Sequence, residues 1–101
     1  MIRIFIMYNL NDGISLDDYK KWSSEIDKKI VMSQPGILSF DVHTIKGGIG
    51  KQPYQIVEII EADSWEDWLR ALETPEMIEG HKQWQRYCDE SSLVVLYGEK
   101  L

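Results

Sequence analysis

The sequence is poor in the residues that carry several common function classes. Among 101 residues there is one cysteine, Cys88. A single thiol forms no internal disulfide and no cysteine-rich metal site. Cations are also scarce: 11 Lys and Arg against 17 Asp and Glu leave a formal charge of −6. Surfaces that track phosphates need clustered Lys and Arg, so nucleic acid is not an expected partner. No apolar run approaches the roughly 20 residues that span a bilayer, and no membrane partner is expected. The opening stretch 2–8 is short, is interrupted by Arg3 and lacks a small-residue cleavage site. It reads as part of the fold rather than a signal peptide, and a cytoplasmic location is expected. No repeat or low-complexity linker divides the chain, so residues 1–101 form one expected domain. What is present is enough for a packed core: 44% hydrophobic residues, with 11% aromatic.

Strand and helix signals alternate. Residues 2–8 are β-branched, aromatic and almost continuously apolar, as in a strand buried on both faces. Asn9, Asn11, Asp12 and Gly13 mark a turn. Ser15 followed by Asp18 resembles a capping box. Leu16, Tyr19, Trp22, Ile26 and Ile30 then recur at helical spacing, until Pro35-Gly36 stops the helix. Residues 37–46 and 54–61 read as two strands of a hairpin around Gly47-Gly48-Ile49-Gly50. Ser64 caps a second helical segment bearing Trp65, Trp68, Leu69 and Leu72, and Thr74-Pro75 restarts it. Met77, His81, Trp84 and Cys88 form one stripe at helical spacing, predicted to face inward. Residues 93–97 supply the last strand.

The order β-α-β-β-α-β predicts an α+β, ferredoxin-like sandwich with a four-stranded antiparallel sheet. Right-handed crossovers give the spatial strand order 4-1-3-2, with both helices on one face. The strands stay apolar on both sides, and a chain of this length has no second layer left. A homodimer packed through the open sheet face is therefore expected.

The middle hairpin holds the first candidate chemistry. If the loop pairs Lys46 with Pro53, Asp41 faces Glu58 and His43 faces Ile56. Two facing carboxylates share protons and one pKa rises, with an imidazole close by. A bulge that slips the register by one residue would separate them. Glu58, between Ile56 and Ile60, is the least comfortable residue for a purely structural account. His81, on its apolar stripe, is the second candidate. With Tyr8, Trp22 and Trp84 it would line an aromatic-walled cleft suited to a small, flat aromatic substrate. The catalytic candidates are thus His43, His81, Glu58 and Asp41, and the substrate-binding candidates are Tyr8, Trp22 and Trp84. Plain structural readings stand beside these: a hydrogen-bonded core histidine for His81, a solvated edge pair for Asp41 and His43, and core packing for the tryptophans. The acids and histidines match no strong metal signature, and no metal is expected. The glycine segment lacks the strand-to-helix setting of a phosphate loop, and no dinucleotide fingerprint is visible.

The element order, Pro35-Gly36, the segment Ser64-Trp65-Glu66-Asp67-Trp68 leading to Thr74-Pro75-Glu76, the His43 strand and the run Glu79-Gly80-His81-Lys82-Gln83-Trp84 resemble the dimeric α/β-barrel superfamily. That group includes cofactor-free monooxygenases, muconolactone isomerases and EthD-like proteins. Within it the chain is similar to the RedY-like/HapK group of prodigiosin-type biosynthesis proteins. The resemblance covers nearly the whole chain. It implies a homodimer, no organic cofactor, and a role in tailoring pyrrole- or indole-derived natural products. The reading drawn from residues and resemblance is a cofactor-independent enzyme of secondary metabolism. It would cyclise, dehydrate or isomerise a flat heteroaromatic intermediate by proton transfer. The alternatives are a cofactor-free monooxygenase, a non-catalytic binding protein for a hydrophobic intermediate, and a heme- or metal-associated stress protein.

Overall fold

A computed structural model describes all residues, Met1 to Leu101. The elements run β1 (Ile2–Leu10), α1 (Leu16–Trp22), a π-helical turn (Ser23–Asp27), α2 (Lys28–Met32), β2 (Ile37–Thr44), β3 (Ile56–Ala62), α3 (Trp65–Leu72), α4 (Pro75–Tyr87) and β4 (Cys88–Gly98). The sheet is antiparallel with order β2-β3-β1-β4, the topology expected from the element order. No helix is long and apolar enough to cross a membrane.

Local chemistry sets the helix starts. Ser15, Ser64 and Thr74 are extended, and each side-chain oxygen accepts the backbone N–H three residues on, from Asp18, Asp67 and Met77. Each bond satisfies one of the donors that a helix start leaves free. Pro75 occupies the first turn of α4, where its missing N–H costs nothing.

Alternation along β1 and β3 puts Ile2, Ile4, Ile6 and Tyr8 beside Ile56, Glu58, Ile60 and Ala62 on the helix-covered face. Tyr19, Trp22, Val31, Trp68 and Trp84 close over them from the helices. Burying each large apolar side chain contributes about 1.5–3 kcal/mol. The opposite face of the sheet carries Phe5, Met7, Val57 and Ile59, all half-buried, and the more exposed Leu96.

Three local details differ from the sequence-based expectation. The helix ends at Tyr87, so Cys88 is the first residue of β4 rather than the end of a helical stripe; it is extended and buried. The π turn breaks the first helix's phase: the N–H of Lys28 bonds to the carbonyl of Ser23, five residues back. The extra residue rotates Ile26, expected inward, to 40% exposure. Finally, the β2–β3 register shifts between Ile37 and Ser39.

Gly36 turns the chain from α2 into β2 with φ +81°. A Cβ there would lie 2.6 Å from the Asp67 side chain, at the start of α3. Gly36→Ala therefore meets both backbone strain and a clash. It should cost roughly 1–3 kcal/mol, read as a lowered urea midpoint with an unchanged m-value.

Candidate functional site: a carboxyl pair beneath an aromatic cavity

The register of the middle hairpin decides which side chains meet. Ile37 pairs with Ala62, but the bulge then shifts the ladder by one. Asp41 pairs with Ile59, Val42 with Glu58, and His43 with Val57. Side chains directly opposite one another share a face. The expected Asp41–Glu58 pair therefore does not form: Glu58 points toward the helices, while Asp41 and His43 lie on the outward side of β2. Both are exposed. His43 thus does not share a hollow with Glu58 and His81. This is the slip that a period of two makes decisive.

Glu58 is only 5% exposed. Its Oε2 accepts a hydrogen bond from the Tyr8 hydroxyl, which also contacts the Tyr19 hydroxyl from α1. Tyr8 sits diagonally across the β1–β3 ladder from Glu58, because Tyr8 pairs with Ile56 and Ile6 pairs with Glu58. The Tyr8 ring also packs edge-on against Trp84, with centroids 5.1 Å apart.

The carboxyl partner of Glu58 is Asp27, which sequence reasoning missed. The π turn brings it inward. Ser23, Asp27 and Val31 follow at four-residue steps, and Ser23 and Val31 are both buried. That polar-centred stripe was present in the spacing, but the apolar stripe ending in Ile26 and Ile30 masked it. Burial pushes the Glu58 carboxyl up to about 8, and the Asp27 charge adds to this, while the Tyr8 hydrogen bond opposes it. Burial raises Asp27 to about 7. Burial, with the Glu58 charge second, also lifts the Tyr8 and Tyr19 hydroxyls far above the usual phenol range. The Cys88 thiol is raised by the same two causes and by the Asp27 charge, which leaves it a poor nucleophile.

Asp27 and Glu58 open onto a cavity of about 320 Å³ between β1, β4 and the helices. Its walls are Trp65, Trp68, Trp84, Leu69, Leu72, Met77, Leu93, Val95 and Ile30, with the buried Ile6 and Val31. The polar lining is Asp27, Glu58 and His81, without Lys or Arg. Trp65 is braced by Tyr97, stacked at 4.2 Å between centroids. His81 stands at the rim, half-exposed, stacked on Trp84 at 5.2 Å, with Nε2 2.7 Å from Glu90 Oε1. Gln85 Nε2 donates to the other Glu90 oxygen, so that carboxylate is held from two sides. Gly80 faces the cavity where a Cβ would meet Ile30 at 3.4 Å.

Of the expected substrate-binding residues, Trp84 lines the cavity. Tyr8 lies behind it, hydrogen-bonded to Glu58. Trp22 is core instead: it is 4% exposed, donates from Nε1 to Gln83 Oε1 at 3.0 Å, and stacks on Tyr87. Trp65 and Trp68 take the wall positions. No group of three His, Cys, Asp or Glu side chains gathers into a metal-holding cluster.

An apolar, aromatic-walled hollow of this size accommodates a small flat molecule. Two carboxyls border it, and burial raises both toward neutral pH, an arrangement in which one can serve as an acid and the other as a base.

The whole chain has relatives. The sequence model described as HapK, REDY-like protein HapK, matches residues 2–101. Among solved structures, HapK from Hahella chejuensis superposes with a TM-score of 0.84 at 24% identity, over 100% of this chain and 93% of that one. A dimeric ferredoxin-like protein of unknown function from Thermobifida fusca gives 0.74 at 13% identity, covering 98% and 90%. SnoaB from Streptomyces nogalater, a cofactor-independent oxygenase, gives 0.77 at 9% identity, covering 99% and 92%. No curated protein sequence matches significantly. At these identities the structural likeness establishes the fold.

The carboxyl pair makes stability depend on pH. Unfolded, the two groups titrate at their ordinary values of 3.8 and 4.5; folded, they hold protons to about 7 and 8. The native state therefore binds more protons across that window, and stability falls as pH rises through it. Glu58→Gln keeps an acceptor for Tyr8 and removes one titrating group. It should flatten the decline and raise the unfolding midpoint at pH 9, measured by urea denaturation from pH 4 to 9. A steeper decline in the variant would contradict the assignment.

Proposed function

The chain belongs to the REDY-like HapK family, and we propose that it is a small cofactor-independent enzyme of secondary metabolism that transfers protons on a flat heteroaromatic intermediate. The reaction is a cyclisation, dehydration or isomerisation of a pyrrole- or indole-type compound. The observation that carries this reading is the Asp27–Glu58 carboxyl pair at the floor of a tryptophan-walled cavity.

The roles follow from position. The substrate ring stacks among Trp65, Trp68 and Trp84, which favour aromatic faces. Glu58, neutral near pH 7, donates a proton from the floor; Asp27, the more acidic of the pair, accepts one. Tyr8 fixes the Glu58 carboxyl. His81, with Glu90 behind it, handles protons at the rim. The dry walls strengthen each of these interactions once the substrate displaces water. Asp41 and His43 do not border the aromatic cavity.

Glu58→Gln should lower kcat by about 10²–10⁴-fold while ligand affinity, read from quenching of the cavity tryptophans, stays within a few-fold. His81→Ala should act more mildly and distort the pH–rate profile. If both variants form product at the wild-type rate, the protein is a carrier for a hydrophobic intermediate instead. A second enzymatic reading, oxygenation driven by the substrate itself, is favoured by the fold shared with SnoaB. Oxygen consumption matching product formation would select it.

The protein acts as a homodimer through the outward face of the sheet. Phe5, Met7, Val57, Ile59 and Leu96 form an apolar surface that a second copy would cover, and the Thermobifida fusca relative is dimeric. Sedimentation at micromolar concentration should give twice the chain mass, and Ile59→Asp should return it to one.

A further inference from the structure

The tyrosines behind Glu58 lead somewhere. A second cleft, of about 430 Å³, lies between α1, the π turn and β2. It is bordered by Tyr19, Phe40 and Val42 and by the polar Lys20, Ser23, Ser24, Lys28, Asp41 and Thr44. Tyr19 is 1% exposed yet borders this cleft, and its hydroxyl contacts that of Tyr8. The Tyr8 hydroxyl donates to Glu58, which borders the aromatic cavity. Three hydrogen-bonding groups in line therefore join a residue that borders one hollow to a residue that borders the other.

We propose that Tyr8 and Tyr19 form a proton relay that recharges Glu58 from the α1–β2 cleft while substrate fills the aromatic cavity. The proposal rests on the reading of Glu58 as the proton donor. With Glu58 ionised, the single proton of Tyr8 points to Glu58, so Tyr19 must donate to Tyr8. The line is then oriented for inward delivery. Glu58 gives its proton to the substrate and becomes a carboxylate. The Tyr8 O–H bond breaks as the Glu58 O–H bond forms, the Tyr19 O–H breaks as that of Tyr8 re-forms, and water in the cleft supplies the last proton, leaving hydroxide for the buffer. Burial disfavours a free phenolate at either tyrosine, so the protons move together. Other groups face this line: Asp27 from the π turn and Cys88 from β4 on the Glu58 side, and Lys20, Lys28 and Asp41 at the outer end, where the Ser23 side chain meets the Tyr19 hydroxyl. Tyr8 and Tyr19 are positioning and relay residues; neither lines the aromatic cavity.

Time-resolved infrared after a pH jump, with indole filling the aromatic cavity, reads the relay directly, through the protonated Glu58 carbonyl band assigned by its loss in Glu58→Gln. Tyr19→Phe should slow the protonation of Glu58 by about tenfold or more and leave the titration midpoint nearly unchanged. Tyr87→Phe, which removes a hydroxyl outside the line, should leave the rate alone. In the unmodified protein, mixtures of H₂O and D₂O should give a curved proton inventory, because several protons move in one step. This second measurement holds if Tyr19→Phe folds poorly. An unchanged rate in Tyr19→Phe, or a linear inventory, overturns the relay. Absence of any protonated Glu58 band at neutral pH instead overturns the reading of the site itself.

Discussion

A carboxyl group on the helix-facing side of a central strand is the constraint around which the rest is arranged. Glu58 stands between Ile56 and Ile60 on a strand with neighbours on both sides. Burying an ionised carboxylate there, with no Lys or Arg within the hollow, would be very costly. The chain meets that cost in two ways. Tyr8 supplies a hydroxyl donor from the adjacent strand, and the group keeps its proton at pH values where an ordinary glutamate has lost it. The second acid, Asp27, makes ionisation harder still. A structural core would gain stability from leucine at this position; the polar arrangement is intelligible as stability given up for a proton held in an apolar hollow.

Two single-residue irregularities build that arrangement. The bulge after Ile37 sets Asp41 and His43 on the far side of the sheet from Glu58. The π turn at Ser23–Asp27 swings Asp27 inward and Ile26 outward. Each inserts one residue into a repeating ladder, and each therefore changes the face of everything that follows nearby. A regular hairpin and a regular α-helix would have produced another site from the same side chains. Such insertions weaken local hydrogen bonding, and they persist where the surrounding packing demands them.

The shared fold and the particular site carry different information. Structures at 24% identity or less superpose over nearly the whole chain, because the layered sheet and helices depend mainly on apolar pattern and capping. The chemistry depends on a few side chains in the hollow, which such similarity does not transmit. Membership of the family rests on the match over residues 2–101. The roles proposed for Glu58, Asp27 and His81 rest on where this chain puts them.

The sequence by itself determined the element order, the helix caps at Ser15 and Ser64, the restart at Thr74-Pro75, the sheet topology and the anomaly of Glu58. These follow from local periodicity, turn chemistry and the cost of an acid among isoleucines, all of which act over a few residues. Only the tertiary structure decided the partner of Glu58, the exclusion of Asp41 and His43, the retreat of Trp22 into the core, and the use of Trp65 and Trp68 as walls. Those outcomes turn on register and helical phase. A shift of one residue leaves composition and local propensity unchanged but exchanges the two faces of a strand, and the long-range packing that selects the shift is not written in any short window of the chain.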